Sequence, residues 1–149
     1  MKRIAALFCA IGLAIACLLS VPASTRAESY RSSAPEDATV YFISPQDGDT
    51  VSSTFMVKFG LMGMDVAPAG TDKMGTGHHH LLIDLADLPE LDASLPATEN
   101  IRHFGGGQTE TTLTLPPGEH TLRLLLGNYV HIPHDPPVVS DQITITVAE

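Results

Sequence analysis

The stretch TFMVKFGL, residues 54–61, sets Phe55, Val57, Phe59 and Leu61 on one face and Met56, Lys58 and Gly60 on the other. Successive side chains of an extended chain point to opposite sides, so a period of two over eight residues belongs to a half-buried β-strand. The reading extends outward in both directions. Upstream, TVYFIS (residues 39–44) is rich in β-branched and aromatic residues and predicts a strand. PQDGD (45–49) between them carries strong turn chemistry. Downstream, MGMDVAPAGTDKMGTG (62–77) holds four glycines and a proline and predicts a loop.

A third strand is expected over residues 78–85, the end of GHHHLLID (77–84) and the leucine after it. Its alternation places His79, Leu81, Ile83 and Leu85 on a core face and His78, His80, Leu82 and Asp84 on the opposite one. Residues 86–100 carry two prolines and many acids and read as a connection. IRHF (101–104) reads as a short edge strand, and Gly105-Gly106-Gly107 as a loop that exploits the freedom of glycine at positive φ. TETTLTL (109–115) alternates again. Pro116-Pro117-Gly118-Glu119 is a turn, and residues 120–126 direct Leu122, Leu124 and Leu126 inward. A proline-rich loop follows over 128–140, and residues 141–147 close the chain with Ile143, Ile145 and Val147 inward. Six or seven short strands with turn signals between them, and no helical periodicity, predict an immunoglobulin-like antiparallel β-sandwich of about seven strands. A closed β-barrel of similar strand count is the alternative.

The 149-residue chain opens Met-Lys-Arg and then runs apolar from Ile4 to Leu19. Positive charge, a 16-residue apolar run and small residues after it match a secretory signal peptide, and the run is shorter than the ~20 residues that span a bilayer. Residues 1–27 are read as the leader, with Thr25 and Ala27 at the small-residue positions. Residues 28–38 are read as a flexible lead-in and 39–149 as one domain. Lipidation at Cys17 is the minor alternative. The expected location is outside the cytoplasm, the periplasm in a Gram-negative cell, with no membrane span after leader removal. Cys9 and Cys17 are the only cysteines, so the mature chain has neither a disulfide nor a thiolate ligand. The leader carries Lys2, Arg3 and Arg26 and no acid, so its removal moves the formal charge from −9 to −12. That balance argues against nucleic acid and anionic lipid as partners.

All seven histidines fall after residue 77. Loops between consecutive antiparallel strands alternate between the ends of a sandwich. The loops over 62–77, 105–108 and 128–140 therefore fall at one end. His78, His79, His80, His103, His131 and His134 gather there, and His120 lies at the other as a structural rim residue. Imidazole suits copper, zinc or nickel. The expected metal ligands are His78, His80, His103, His131 and His134. Weaker candidates are the thioethers of Met62, Met64 and Met74 and the carboxylate of Asp84; Asp65, Asp72 and Asp135 are further possible partners for imidazoles. The alternative is that the histidines hydrogen-bond the loops and hold them still. No nucleophile, nucleotide or metalloprotease motif occurs, and no catalytic residue or organic cofactor is assigned.

GHHHLLID (77–84), HFGGGQTE (103–110), PGEHTLRLLLG (118–127) and HIPHDPP (131–137) together resemble an uncharacterised bacterial family of small exported proteins built on one domain of unknown function. The resemblance runs from about Thr39 to Val147 and implies no activity. SPQDGDTV (44–51) is similar to the opening of periplasmic copper-resistance proteins of the CopC type, which are small exported sandwiches with His and Met ligands. Their N-terminal histidine ligand has no counterpart, since Glu28 would lead the mature chain. The expected function is an exported module that binds copper or zinc for buffering or delivery. A structural or interaction module with an envelope protein partner is the alternative, and a small metalloenzyme with an open coordination position the third reading.

Overall fold

The structure, a computed structural model, describes residues 30–149; the leader read over 1–27, with Cys17, lies outside the described residues. No helix occurs among the described residues, so none is long and apolar enough to cross a membrane. Nine strands form: β1 Thr39–Ser44, β2 Thr50–Val51, β3 Thr54–Met62, β4 Asp65–Val66, β5 Thr76–Ile83, β6 Ile101–His103, β7 Glu110–Thr114, β8 Gly118–Gly127 and β9 Ile143–Val147. They build two sheets. One has the order β1-β3-β7; the other runs β2-β9-β8-β5-β4, with β6 also paired to β5.

The alternation of β3 is realised. Phe55, Val57 and Phe59 are buried, while Met56 is about half exposed. These side chains face Leu81, Ile83, Leu122, Leu124, Leu126, Ile143, Ile145 and Val147 of the second sheet, and together they form the main core. The described residues form nine strands where about seven are expected, and the two extra ones are only two residues long. β2 pairs with β9, and β4 with β5, both in parallel. Neither has a hydrophobic period of its own; each exists because its neighbour offers an unpaired edge, which local sequence does not record.

A larger departure concerns β5. Alternation predicts one face toward the core and one toward solvent, yet all eight of its residues are buried. A second apolar cluster, Leu82, Leu95, Ile101 and Leu125, lies on the outer face, with Leu85, Leu88, Leu91 and Val139 packed against it. Residues 86–100 are thus a cover rather than a bare connection. Leu81, Leu82 and Ile83 are each 3% exposed or less. Burial at that level contributes about 1.5–3 kcal/mol per side chain, so both faces of β5 are firmly seated. Residues 30–35, expected as a lead-in, run against the loop that follows β8. The Ala34 N–H donates to the Asp135 carbonyl at 3.0 Å, and the Asp135 N–H to the Ser32 carbonyl at 2.9 Å.

Candidate metal centre

The centre begins with β5. Its alternation sends His79 into the main core, where the ring lies 4.7 Å from that of Phe59. His78 and His80 leave from the other face, and the outer cover keeps both fully buried. The antiparallel register of β5 and β6 sets His103 directly opposite His80. His131 then arrives from the loop after β8. Ring centroids are 4.9 Å apart for His78–His80 and for His78–His103, 5.0 Å for His78–His131 and 5.1 Å for His80–His103. They are 4.5 Å apart for His103–His131 and 6.2 Å for His80–His131.

Two glycines make room for the rings. A Cβ on Gly127 would stand 2.6 Å from Cε1 of His80, and one on Gly105 would run into the His103 ring. The position of His131 is fixed from several directions. Its N–H donates to the Asn128 carbonyl and its carbonyl accepts from the Leu95 N–H, both at 2.9 Å. Buried Asn128 organises the turn: its Oδ1 accepts from the N–H groups of Val130 at 3.1 Å and Ile132 at 3.0 Å. Its Nδ2 donates to the Tyr30 carbonyl at 2.8 Å and to Ser32 Oγ at 3.1 Å. Within this frame His131 takes a φ of 70°, a left-handed conformation uncommon for a residue with a Cβ.

The cluster is polar, enclosed and unsatisfied. Among the described residues, both ring nitrogens of His78 and of His80, Nε2 of His103 and Nδ1 of His131 are buried without a hydrogen-bond partner, as are both nitrogens of His79 and Nδ1 of His134 on the other side of β5. An unpaired buried donor or acceptor costs about 1–3 kcal/mol, and such groups in native proteins call for an explanation such as a bound ion. Burial, aided by the neighbouring His103 and His131, pushes His78 down to about 4. Burial and the adjacent histidines push His80 down to about 3. Burial and His103 also lower His131. His78 and His80 are therefore neutral at physiological pH, the state in which imidazole binds a metal. One nitrogen from each of His78, His80 and His103 lies within 4.8 Å of the other two. Three atoms at that separation lie about 2.8 Å from a common point, so the rings must close inward to reach the ~2.0–2.1 Å of a zinc–imidazole bond. The set can hold a metal ion.

The other expected candidates lie elsewhere. His134 is buried on the far side of β5, beside Gly77 and the Leu126 side chain, and its Nε2 donates to the Thr76 carbonyl at 3.2 Å. Asp84 sits at the opposite end of β5, about 20 Å along the strand from His78. There its carboxylate accepts from His120 Nδ1 at 2.8 Å and from the Thr121 N–H at 2.9 Å. His120 is the rim residue expected of it. Met62 and Met74 are exposed, while Met64 packs against the main core. Asp65, Asp72 and Asp135 are exposed as well, and Asp65 and Asp135 pair with Lys73 and Arg31. Sequence reasoning missed Asn128, Gly105, Gly127 and the leucine cover. Leu85, Leu88, Leu91 and Leu95, spaced three or four apart in an acidic stretch, were the available signal.

Comparison with curated proteins finds no match, and neither does comparison with solved structures. A family model described as a domain of unknown function, DUF4399, matches residues 57–148, which takes in every histidine and every strand from β4 to β9, and the chain belongs to that family.

Proposed function

We propose that this protein is an exported binding module whose buried histidine cluster takes up a transition metal, copper or zinc, for buffering or delivery. The single observation that carries the reading is the convergence of six buried ring nitrogens, from His78, His80, His103 and His131, that have no partner among the described residues. A loop platform held by histidine hydrogen bonds would use those nitrogens, and here it does not. Export rests on the leader read over residues 1–27, and the periplasm of a Gram-negative cell is the proposed location. The immunoglobulin-like assignment belongs to the same proposal. It is supported by β1-β3-β7 in one layer and β5-β8-β9 in the other, the A-B-E and C-F-G groupings of that fold, with β6 attached to β5.

The test is elemental analysis and thermal melting of protein purified without a histidine tag. Copper or zinc is expected to co-purify near one equivalent, or to raise the melting temperature when added to stripped protein, as a ligand specific to the native state must. A His78→Ala/His80→Ala double variant is expected to show neither effect. If no metal co-purifies and neither ion shifts the melting of the wild-type protein, the metal reading is wrong and the interaction module replaces it.

A further inference from the structure

Resting on that metal-binding reading, we infer that His131 is a fourth ligand and that it closes the centre into an all-imidazole tetrahedral site, a geometry that suits zinc(II) rather than tetragonal copper(II). Three histidines on strands supply a half-built shell: His78 and His80 from β5, His103 from its partner β6. A site of three histidines with an open position is what a catalytic zinc centre needs, whereas four protein ligands make a closed, non-catalytic one. Where His131 sits therefore decides which kind of site this is.

The nitrogens that already lie within 4.8 Å of one another are those of His78, His80 and His103, so His131 must turn its ring to join them, and the ring separations favour that closure. A zinc–nitrogen bond of about 2.0–2.1 Å and an imidazole radius of about 1.2 Å place each ring centroid about 3.2 Å from the ion, so a tetrahedral set has all six centroid separations at about 5.2 Å. A square-planar set, the preference of copper(II), has four at about 4.5 Å and two diagonals at about 6.4 Å. Here five of the six separations lie between 4.5 and 5.1 Å, and only His80–His131 opens to 6.2 Å. In a square the complementary diagonal, His78–His103, would be equally long, but it is 4.9 Å. The four rings thus form a slightly flattened tetrahedron, not a plane.

Two further observations point to His131 in the same role. Its Nδ1 is buried and unpartnered, as a ligand atom waiting for an ion is. Its backbone is held at φ 70°, where glycine would sit without strain. Sparsely populated backbone conformations in non-glycine residues collect at functional sites, and here an imidazole stands where a turn alone would favour glycine.

Cobalt(II), substituted for zinc in the stripped full domain, reads coordination number directly, because four-coordinate nitrogen sites give intense visible d–d bands and six-coordinate ones give weak bands. Wild-type protein is expected to show the intense bands. The variant to compare is His131→Gly, since glycine is at home at that φ and the turn keeps its shape. Its bands are expected to weaken and shift to shorter wavelength as more than one water enters in place of the ring and the coordination number rises. Its zinc affinity is expected to fall by at least about tenfold, the loss that even outer partners of metal ligands cause. Free imidazole added to His131→Gly is expected to restore the intense bands, which a merely structural role for His131 would not allow. A His131→Gly spectrum and zinc affinity equal to wild type would overturn the inference and leave a metal site of His78, His80 and His103 standing. So would a wild-type protein that takes copper(II) with a tetragonal paramagnetic resonance signature and shows only weak cobalt bands. Wild-type protein that binds neither cobalt nor zinc nor copper would remove the underlying reading as well.

Discussion

At the residue scale, the lining of the histidine cluster is as informative as the histidines. Gly127 lacks a left-handed φ, so alanine is acceptable there to the backbone. Its Cβ is not acceptable to the His80 ring 2.6 Å away. Gly127→Ala is therefore expected to lower stability by about 1–3 kcal/mol, the cost of overpacking a tight interior, and to weaken metal uptake by tilting His80. Urea denaturation and metal titration measure the two effects separately. Protonation gives a second prediction, with two opposite signs. Burial lowers His120, but its hydrogen bonds to the Asp84 carboxylate and the Pro116 carbonyl outweigh it and raise the residue above its usual value. Both partners are acceptors, so the ring satisfies both only when each nitrogen carries a proton. That contribution is complete below the unfolded value of about 6.5 and is lost as pH rises through the raised folded value. His78 and His79, pushed by burial to about 4, and His80, to about 3, act in the reverse sense. They favour the native state above about 6.5, and the benefit is lost as pH falls from there toward 4 for His78 and His79 and toward 3 for His80. Melting of metal-free protein across this range should decline on the acid side in wild type. His120→Gln should remove only the decline on the alkaline side.

At the scale of elements, what the sequence displays is whatever repeats along one segment. β3, β5, β8 and β9 were legible because Phe55-Val57-Phe59, His79-Leu81-Ile83, Leu122-Leu124-Leu126 and Ile143-Ile145-Val147 each keep the period of a strand. The pairing of His78 with His80 on one face followed from the same period. β2 and β4 were not legible, because two residues carry no period. The cover over β5 was misread for a different reason: its acids and prolines describe its outer surface, while Leu88, Leu91 and Leu95 describe its inner one. Leu95, 4% exposed, anchors that cover and lies next to the carbonyl of His131 through its own N–H. Leu95→Ala is expected to cost about 2–4 kcal/mol in urea denaturation, within the range for large-to-small changes in a core. It should also speed metal release in a chelator-competition assay, because the backbone bond remains while the packing that seats the cover is lost.

For the whole molecule, the gathering of histidines at one end was legible as a consequence of strand order, but the division among them was not. His78, His80, His103 and His131 meet on the outer side of β5, while His79 and His134 face the other way. That division depends on where the 128–134 loop crosses β5, a tertiary fact without a local signal. It also places the centre at the end of the smaller apolar cluster rather than in the main core, so occupation by a metal would link the cover, the last loop and two strands in one unit. Zinc at a free concentration a hundred times Kd is expected to raise global stability by about 2.7 kcal/mol. In hydrogen exchange the added protection should be greatest at residues 94–104 and 125–134, and a His78→Ala/His80→Ala variant should show none of it.

The Asn128 side chain has a consequence for time rather than for energy. It ties the turn that carries His131 to the Tyr30 carbonyl, 98 positions away in the sequence. Contacts of such long range form late, because their ends must first be brought together. A chain made from its N-terminus offers residue 30 early and residue 131 near the end, so the ring of His131 takes its place only when almost the whole domain exists. Under the proposed metal reading, an ion met before that point would find a histidine set still open on one side. Firm retention would then begin with the completed fold, and a chain halted before that loop has formed would hold an ion only through His78, His80 and His103.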